Sequence, residues 1–205
     1  MLLYRPVGLE ELRLIFVAGM RAFPPRLPDQ PIFYPVTNDA YAKQIARDWN
    51  TKSGTLAGFV TRFSVDDAYV QRFERRVVGA KEHEELWVPA EELEEFNTHI
   101  EGQIDVIAAY FGHPYQGDVP AGFGLRGKDA RAQFLALARS LPYSGFDVVH
   151  ETAASHVAVF LNFFFWEQCD FSADGVSAPE RDEVLCTLRK VWTERGLAVA
   201  PLGVT

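Results

Sequence analysis

An apolar stretch carrying one arginine, Arg5, opens the chain over residues 2–7 and predicts a strand. Gly8 begins a different period. Leu9, Leu12 and Phe16, with Ile15 beside it, recur at helical spacing as far as about Gly19. Residues 21–31 break both patterns with Pro24, Pro25, Pro28 and Pro31. Proline fixes φ and lacks an amide donor, so a stiff loop is expected there. Residues 32–36 read as a short strand. Asn38 is placed to cap the next helix, whose buried face is Ala42, Ile45, Ala46 and Trp49. Residues 56–65 alternate as a strand, and Val77-Val78 and Leu86-Trp87-Val88 give shorter ones. Pro89 suits the first turn of a helix with Leu93 and Phe96 inward and Glu91, Glu92, Glu94 and Glu95 outward. Residues 104–111 form the last strand of this half.

Strands and helices in this order do not alternate regularly. The pattern predicts an α+β fold over residues 1–111, with a mixed, mostly antiparallel sheet and short helices. Residues 112–127 hold five glycines and two prolines, which reads as a connection or a long surface loop. Residues 128–205 are expected to be a helix-rich extension. Ala130, Phe134, Leu137, Ala138 and Leu141 mark one helix, and residues 146–152 read as a strand. Residues 155–167 are too apolar for periodicity to assign, but their length favours a helix. Ser177 and Glu180 form a capping box ahead of an inward face of Val184, Leu185, Leu188, Val191 and Trp192, and Gly196 ends that helix. With sixteen phenylalanines and four tryptophans in the chain, aromatic density favours an extension packed on the first half as one body.

Composition narrows the function classes. The 205 residues are 48% hydrophobic and 23% charged, as in an ordinary soluble protein with a sizeable core. A net charge of -8 repels phosphate backbones and argues against non-specific nucleic-acid binding. The two cysteines, Cys169 and Cys186, lack metal or redox spacing and read as buried apolar thiols. Charge at Arg5, Glu10 and Glu11 precedes any long apolar region, and the longest apolar run, residues 157–166, is about half a bilayer span. A soluble, cytoplasmic protein without a membrane segment is expected.

Candidate chemistry gathers at a few places. Glu82, Glu84 and Glu85 crowd the start of the Leu86-Trp87-Val88 strand, and extended geometry puts Glu85 on the opposite face from the other two. They are either a site or a solvated acidic edge. Arg5 is either a phosphate fork or a structural ion pair. Arg21 and Arg26 flank Phe23-Pro24-Pro25 on a rigid loop that lies against ligand phosphates or covers a core edge. Phe33, Tyr34 and Tyr41 either stack on a flat ring or belong to the core. His150 and His156 do not make a metal pair. On a helix they differ by roughly 240°, and on a strand by about 20 Å. An acidic face of Glu82, Glu84, Glu91, Glu94 and Glu95 would suit a basic protein partner in a non-enzymatic, immunity-type protein.

The stretches Leu3-Tyr4-Arg5-Pro6-Val7, Phe23-Pro24-Pro25-Arg26, residues 30–36, Asp48-Trp49-Asn50 and Glu85-Leu86-Trp87-Val88-Pro89 resemble a family of bacterial proteins over residues 1–111. That family often carries an "ADP-ribosylation/crystallin" label. The label belongs to ADP-ribosylglycohydrolases, all-helical proteins that hold metal with clustered aspartates, and the strands here point away from that fold. Residues 1–111 are also similar to the ADP-ribosyltransferase fold. Its members place an arginine or histidine on the first strand. A later glutamate precedes a hydrophobic strand ending near Val-Pro, then a short helix and a last strand. The resemblance implies that Arg5 and Glu85 line one NAD-binding cleft with no metal, and that Tyr34 or Tyr41 packs on nicotinamide. It also implies that Glu85 is catalytic, its hydrogen bond to the ribose 2′-hydroxyl strengthening as the ribose becomes cationic. Arg26 would help hold the phosphates.

Overall fold

Alternation along the first strand sets the two faces of the N-terminal sheet. In β1 (Leu2–Val7), Leu3, Arg5 and Val7 are buried, Leu2 is exposed, and Tyr4 and Pro6 are half-buried. Neighbouring side chains on a strand point opposite ways, so Arg5 joins the core side and Tyr4 the other. The structure is a computed structural model and describes residues 1–79 and 83–205. The chain forms two units, Met1–His113 with Thr205, and Pro114–Val204.

The first unit is α+β, as its pattern predicts, and all its strand pairs are antiparallel. β1 pairs with β3 (Ala57–Val65), and β3 with β6 (Ile100–Phe111). A second sheet runs in the order β2 (Ile32–Phe33), β5 (Glu84–Pro89), β4 (Glu74–Val77). Val36 bridges the two sheets, pairing with Tyr4 on one side and Glu85 on the other. Its amide donates to the Tyr4 carbonyl at 2.8 Å and its carbonyl accepts from the Tyr4 amide at 2.9 Å. The α-helices among the unit's described residues are α1 (Leu9–Val17), α2 (Asp39–Asp48), α3 (Asp67–Val70) and α4 (Leu93–Thr98).

One sheet face carries an aromatic core. Phe23 lies 4.9 Å from Phe33 and 4.7 Å from Phe63, and Phe33 lies 5.5 Å from Phe96, centroid to centroid. Burying each such ring stabilises by roughly 2–3 kcal/mol, with a further increment for tilted ring pairs. The proline loop is pinned to this core. Asn97 accepts from the Phe23 amide at 2.8 Å and donates to its carbonyl at 2.9 Å. The opposite face is covered by α2, whose Tyr41, Ala42 and Ala46 pack on Val36 and Val60. Asn38 caps α2 by accepting from the Ala40 amide at 2.8 Å. Gly58 permits this close approach, because a Cβ there would collide with the Ala46 carbonyl.

Some local expectations change. Trp49 is 53% exposed, since α2 ends at Asp48 and a tight turn over Asn50–Lys52 follows. The strand expected at Val77-Val78 is β4, four residues set three earlier. Pro89 closes β5 instead of opening a helix, and a turn over Ala90–Glu92 leads into α4. The short helix α3 has no counterpart in the hydrophobic pattern. It is nucleated by Asp66, which accepts from the Tyr69 amide at 2.8 Å.

The second unit is helical, with α5 (Ala130–Ser140), α6 (Gly145–Ala154), α7 (His156–Gln168) and α8 (Ala178–Glu194). α6 replaces the strand expected at residues 146–152. Its buried residues, Val148 and Thr152, stand four apart, and Ser144 caps it through the Asp147 amide at 3.2 Å. The capping box at Ser177 and Glu180 forms as expected. Residues 114–127 group with this unit. Fully buried Asn162 holds them, accepting from the Asp118 amide at 2.9 Å and donating to the Asp118 carbonyl at 2.9 Å. Gln133 joins at 3.0 Å from Asn162 and 2.7 Å from the same carbonyl. The unit has its own aromatic core. Phe134 stacks on Phe171 at 4.2 Å and Phe160 lies 6.1 Å from Trp192. Among the described residues no single helix is long and apolar enough to cross a membrane.

Candidate functional site

Strand register decides which candidate residues can meet. Phe33 pairs with Val88 and Val36 with Glu85, so Tyr34 stands opposite Trp87 in the same register. Tyr34, Val36, Trp87 and Glu85 therefore share a face, and the Val36–Tyr4 pair extends it to Tyr4. On the neighbouring strand Arg76 pairs directly with Glu85, and Glu74 with Trp87. This is the face that α2 covers in part.

Glu85 is half-buried and held from above. The Tyr41 hydroxyl donates to its Oε1 at 3.1 Å, and the Tyr41 ring stacks on His83 at 4.0 Å. Burial first, then the Glu85 charge and hydrogen bond, push the Tyr41 hydroxyl above the ordinary tyrosine value. Tyr34 meets Trp87 edge-on at 5.1 Å, and the Arg76 guanidinium lies 3.7 Å above the Trp87 ring. Arg76 also pairs with Glu74 at 2.6 Å. The Trp87 Nε1 is buried without a hydrogen-bond partner among the described residues. This face thus carries one carboxylate, the two ring pairs Tyr34–Trp87 and Tyr41–His83, and the Arg76 guanidinium over Trp87.

Arg5 does not face this cluster, which corrects the expectation that Arg5 and Glu85 line one cleft. Tyr4 is in register with Val36 and Glu85, so the next residue points to the other face. There the Arg5 Nε donates to Glu11 Oε1 at 2.7 Å, and one Nη donates to the Tyr34 carbonyl at 3.2 Å. The guanidinium also stacks 4.5 Å above the Phe33 ring. Tyr34 shows the division within one residue: its carbonyl serves Arg5 and its ring serves Trp87. Arg26 lies with Arg5, its Nη1 3.8 Å from the same Glu11 oxygen, while Arg21 is exposed. A cleft of 430 Å³ opens beside these two arginines, and neither Glu85, Tyr34 nor Tyr41 lines it.

The structure thus groups Glu85 with Tyr34 and Tyr41, and Arg5 with Arg26, on opposite faces. Sequence reasoning missed His83, Trp87, Arg76 and Glu11. Glu11 carries a local signal, a first-turn carboxylate six residues after Arg5. Arg76 has none, since its pairing with Glu85 depends on the register of a hairpin. Glu82 lies outside the described residues. Of the other glutamates of the acidic face, Glu84 is half-buried, Glu91 and Glu94 are exposed, and Glu95 pairs with Arg72 at 3.2 Å. Both cysteines are free, and Cys186 is exposed, not buried as expected. No group of three or more metal-ligating side chains comes together among the described residues. Comparison of the chain with protein-family models, curated proteins and solved structures returns no match.

Proposed function

We propose that the protein binds a nucleotide-type ligand, NAD or an ADP-ribosyl group, on the Glu85 face, and acts there in the cytoplasm in the manner of an ADP-ribosyltransferase. The carrying observation is a half-buried carboxylate held by the Tyr41 hydroxyl, on a strand face that also carries the Tyr34–Trp87 ring pair and the stack of Tyr41 on His83. Flat rings offer stacking for a nicotinamide or adenine base. A fixed carboxylate suits a ribose whose anomeric carbon gains positive charge as the glycosidic bond breaks. The bond's electron pair leaves with neutral nicotinamide, and a nucleophile then takes the anomeric carbon. Glu85 stabilises the cationic sugar through its 2′-hydroxyl.

Element order adds support. Glu85 is the second residue of a strand ending at Pro89, and the short helix α4 and the last strand β6 follow, in the order that the resemblance in sequence implies. Arg76 pairs with Glu85 in register across the strands, and its guanidinium lies over the Trp87 ring on the same face.

Nicotinamide release from NAD, followed with time, tests the reading. Glu85→Gln is expected to lower the rate by about 100-fold or more with little change in melting temperature. Wild-type turnover by that variant rules out the role given to Glu85. A melting temperature that responds to neither NAD nor ADP-ribose rules out the nucleotide reading as a whole.

A further inference from the structure

We propose that the cleft between Arg5 and Arg26 is a second binding site, for a compact phosphoryl-type anion, separate from the Glu85 face. It does not depend on the nucleotide reading. The cleft has a volume of 430 Å³, and both guanidiniums line it. Glu11 is the carboxylate that both share. Its Oε1 is 2.7 Å from Arg5 Nε and 3.8 Å from Arg26 Nη1, so Arg5 takes the close contact and Arg26 the distant one.

Arg26 is left with unmet demand. Its side chain is only 12% exposed, yet its Nε is buried without a hydrogen-bond partner among the described residues. Burial first, and the neighbouring Arg5 charge second, hold its guanidinium below the ordinary arginine value. A guanidinium pressed against a second one, with half a carboxylate between them, is stabilised by an added anion. The remaining walls supply neutral donors. Gln30, Asn50, Ser53 and Thr55 line the cleft, as does the first turn of α1. That helix has Gly8 at its N-cap and no side-chain cap, so its first amides are available and its dipole favours negative charge. Glu10 also lines the cleft, is exposed, and limits the site to a small anion.

Thermal shift of the whole chain with inorganic phosphate, at constant ionic strength against sodium chloride, tests this. Wild type and Glu85→Gln should both be stabilised by phosphate in a saturable way. Arg26→Gln should weaken phosphate about tenfold or more, and Thr55→Val by a few-fold. Excess NAD should leave phosphate binding intact. Equal shifts with chloride, or unchanged affinity in Arg26→Gln, overturn the site. Should Arg26→Gln not fold, unchanged affinity in Thr55→Val overturns it instead. Competitive displacement of phosphate by NAD overturns the separation, because the two faces would then serve one ligand.

Discussion

Asn162 in the helical unit and Glu11 in the α+β unit each sit at the centre of a polar network, and they differ in completeness. The Asn162 amide is fully buried, and the Asp118 amide and carbonyl and the Gln133 side chain meet it at 2.9–3.0 Å. Nothing in that network is left over for a ligand. Glu11 serves two guanidiniums and satisfies one of them. A closed network fixes a fold, and an open one keeps affinity for something else.

Four measurements break or sharpen that contrast. The largest effect is expected from Asn162→Leu, which strands the Asp118 amide and the Gln133 Oε1 in a dry interior. Urea unfolding should show a loss of about 3 kcal/mol. Glu11→Gln should lose about 2 kcal/mol by leaving Arg5 without its counter-charge, and phosphate should restore part of that loss. If Glu11→Gln proves the more damaging of the two, the Glu11 network is mainly structural and the contrast fails.

Tyr41→Phe should lose about 1 kcal/mol at neutral pH, the worth of its bond to Glu85. Its hydroxyl titrates higher in the folded protein than the ordinary 10.0. The stabilisation is therefore complete below pH 10.0 and is lost as pH rises through the folded value. The stability gap between wild type and Tyr41→Phe should narrow over that alkaline range, and a constant gap removes Tyr41 from contact with Glu85. Trp49→Lys serves as the control on an exposed helix end, with a change under about 0.5 kcal/mol. A larger loss means that this tryptophan is buried in solution.

What the sequence made legible was local. β1, α1, the proline loop and the boxed start of α8 carry their signals within a few residues, so pattern and capping chemistry found them. α6 was misread because Phe146, Val148, His150 and Thr152 alternate as a strand would, while Val148 and Thr152 also keep helical spacing. The Ser144 cap on the Asp147 amide starts the helix. Which side of the sheet each candidate residue takes was not legible. That depends on Val36 joining two sheets in one register, a contact between residues 4, 36 and 85 that no short window contains. The closed network around Asn162 was hidden for the same reason, since its partners lie 29 and 44 positions away.

The bridge at Val36 has a mechanical meaning. Two leaves of three strands each meet through a pair of hydrogen bonds on one peptide segment, so that segment acts as the spine of a book. Slow solvent exchange at the residue 4 and residue 36 amides would mark a spine that stays shut, and fast exchange one that flexes.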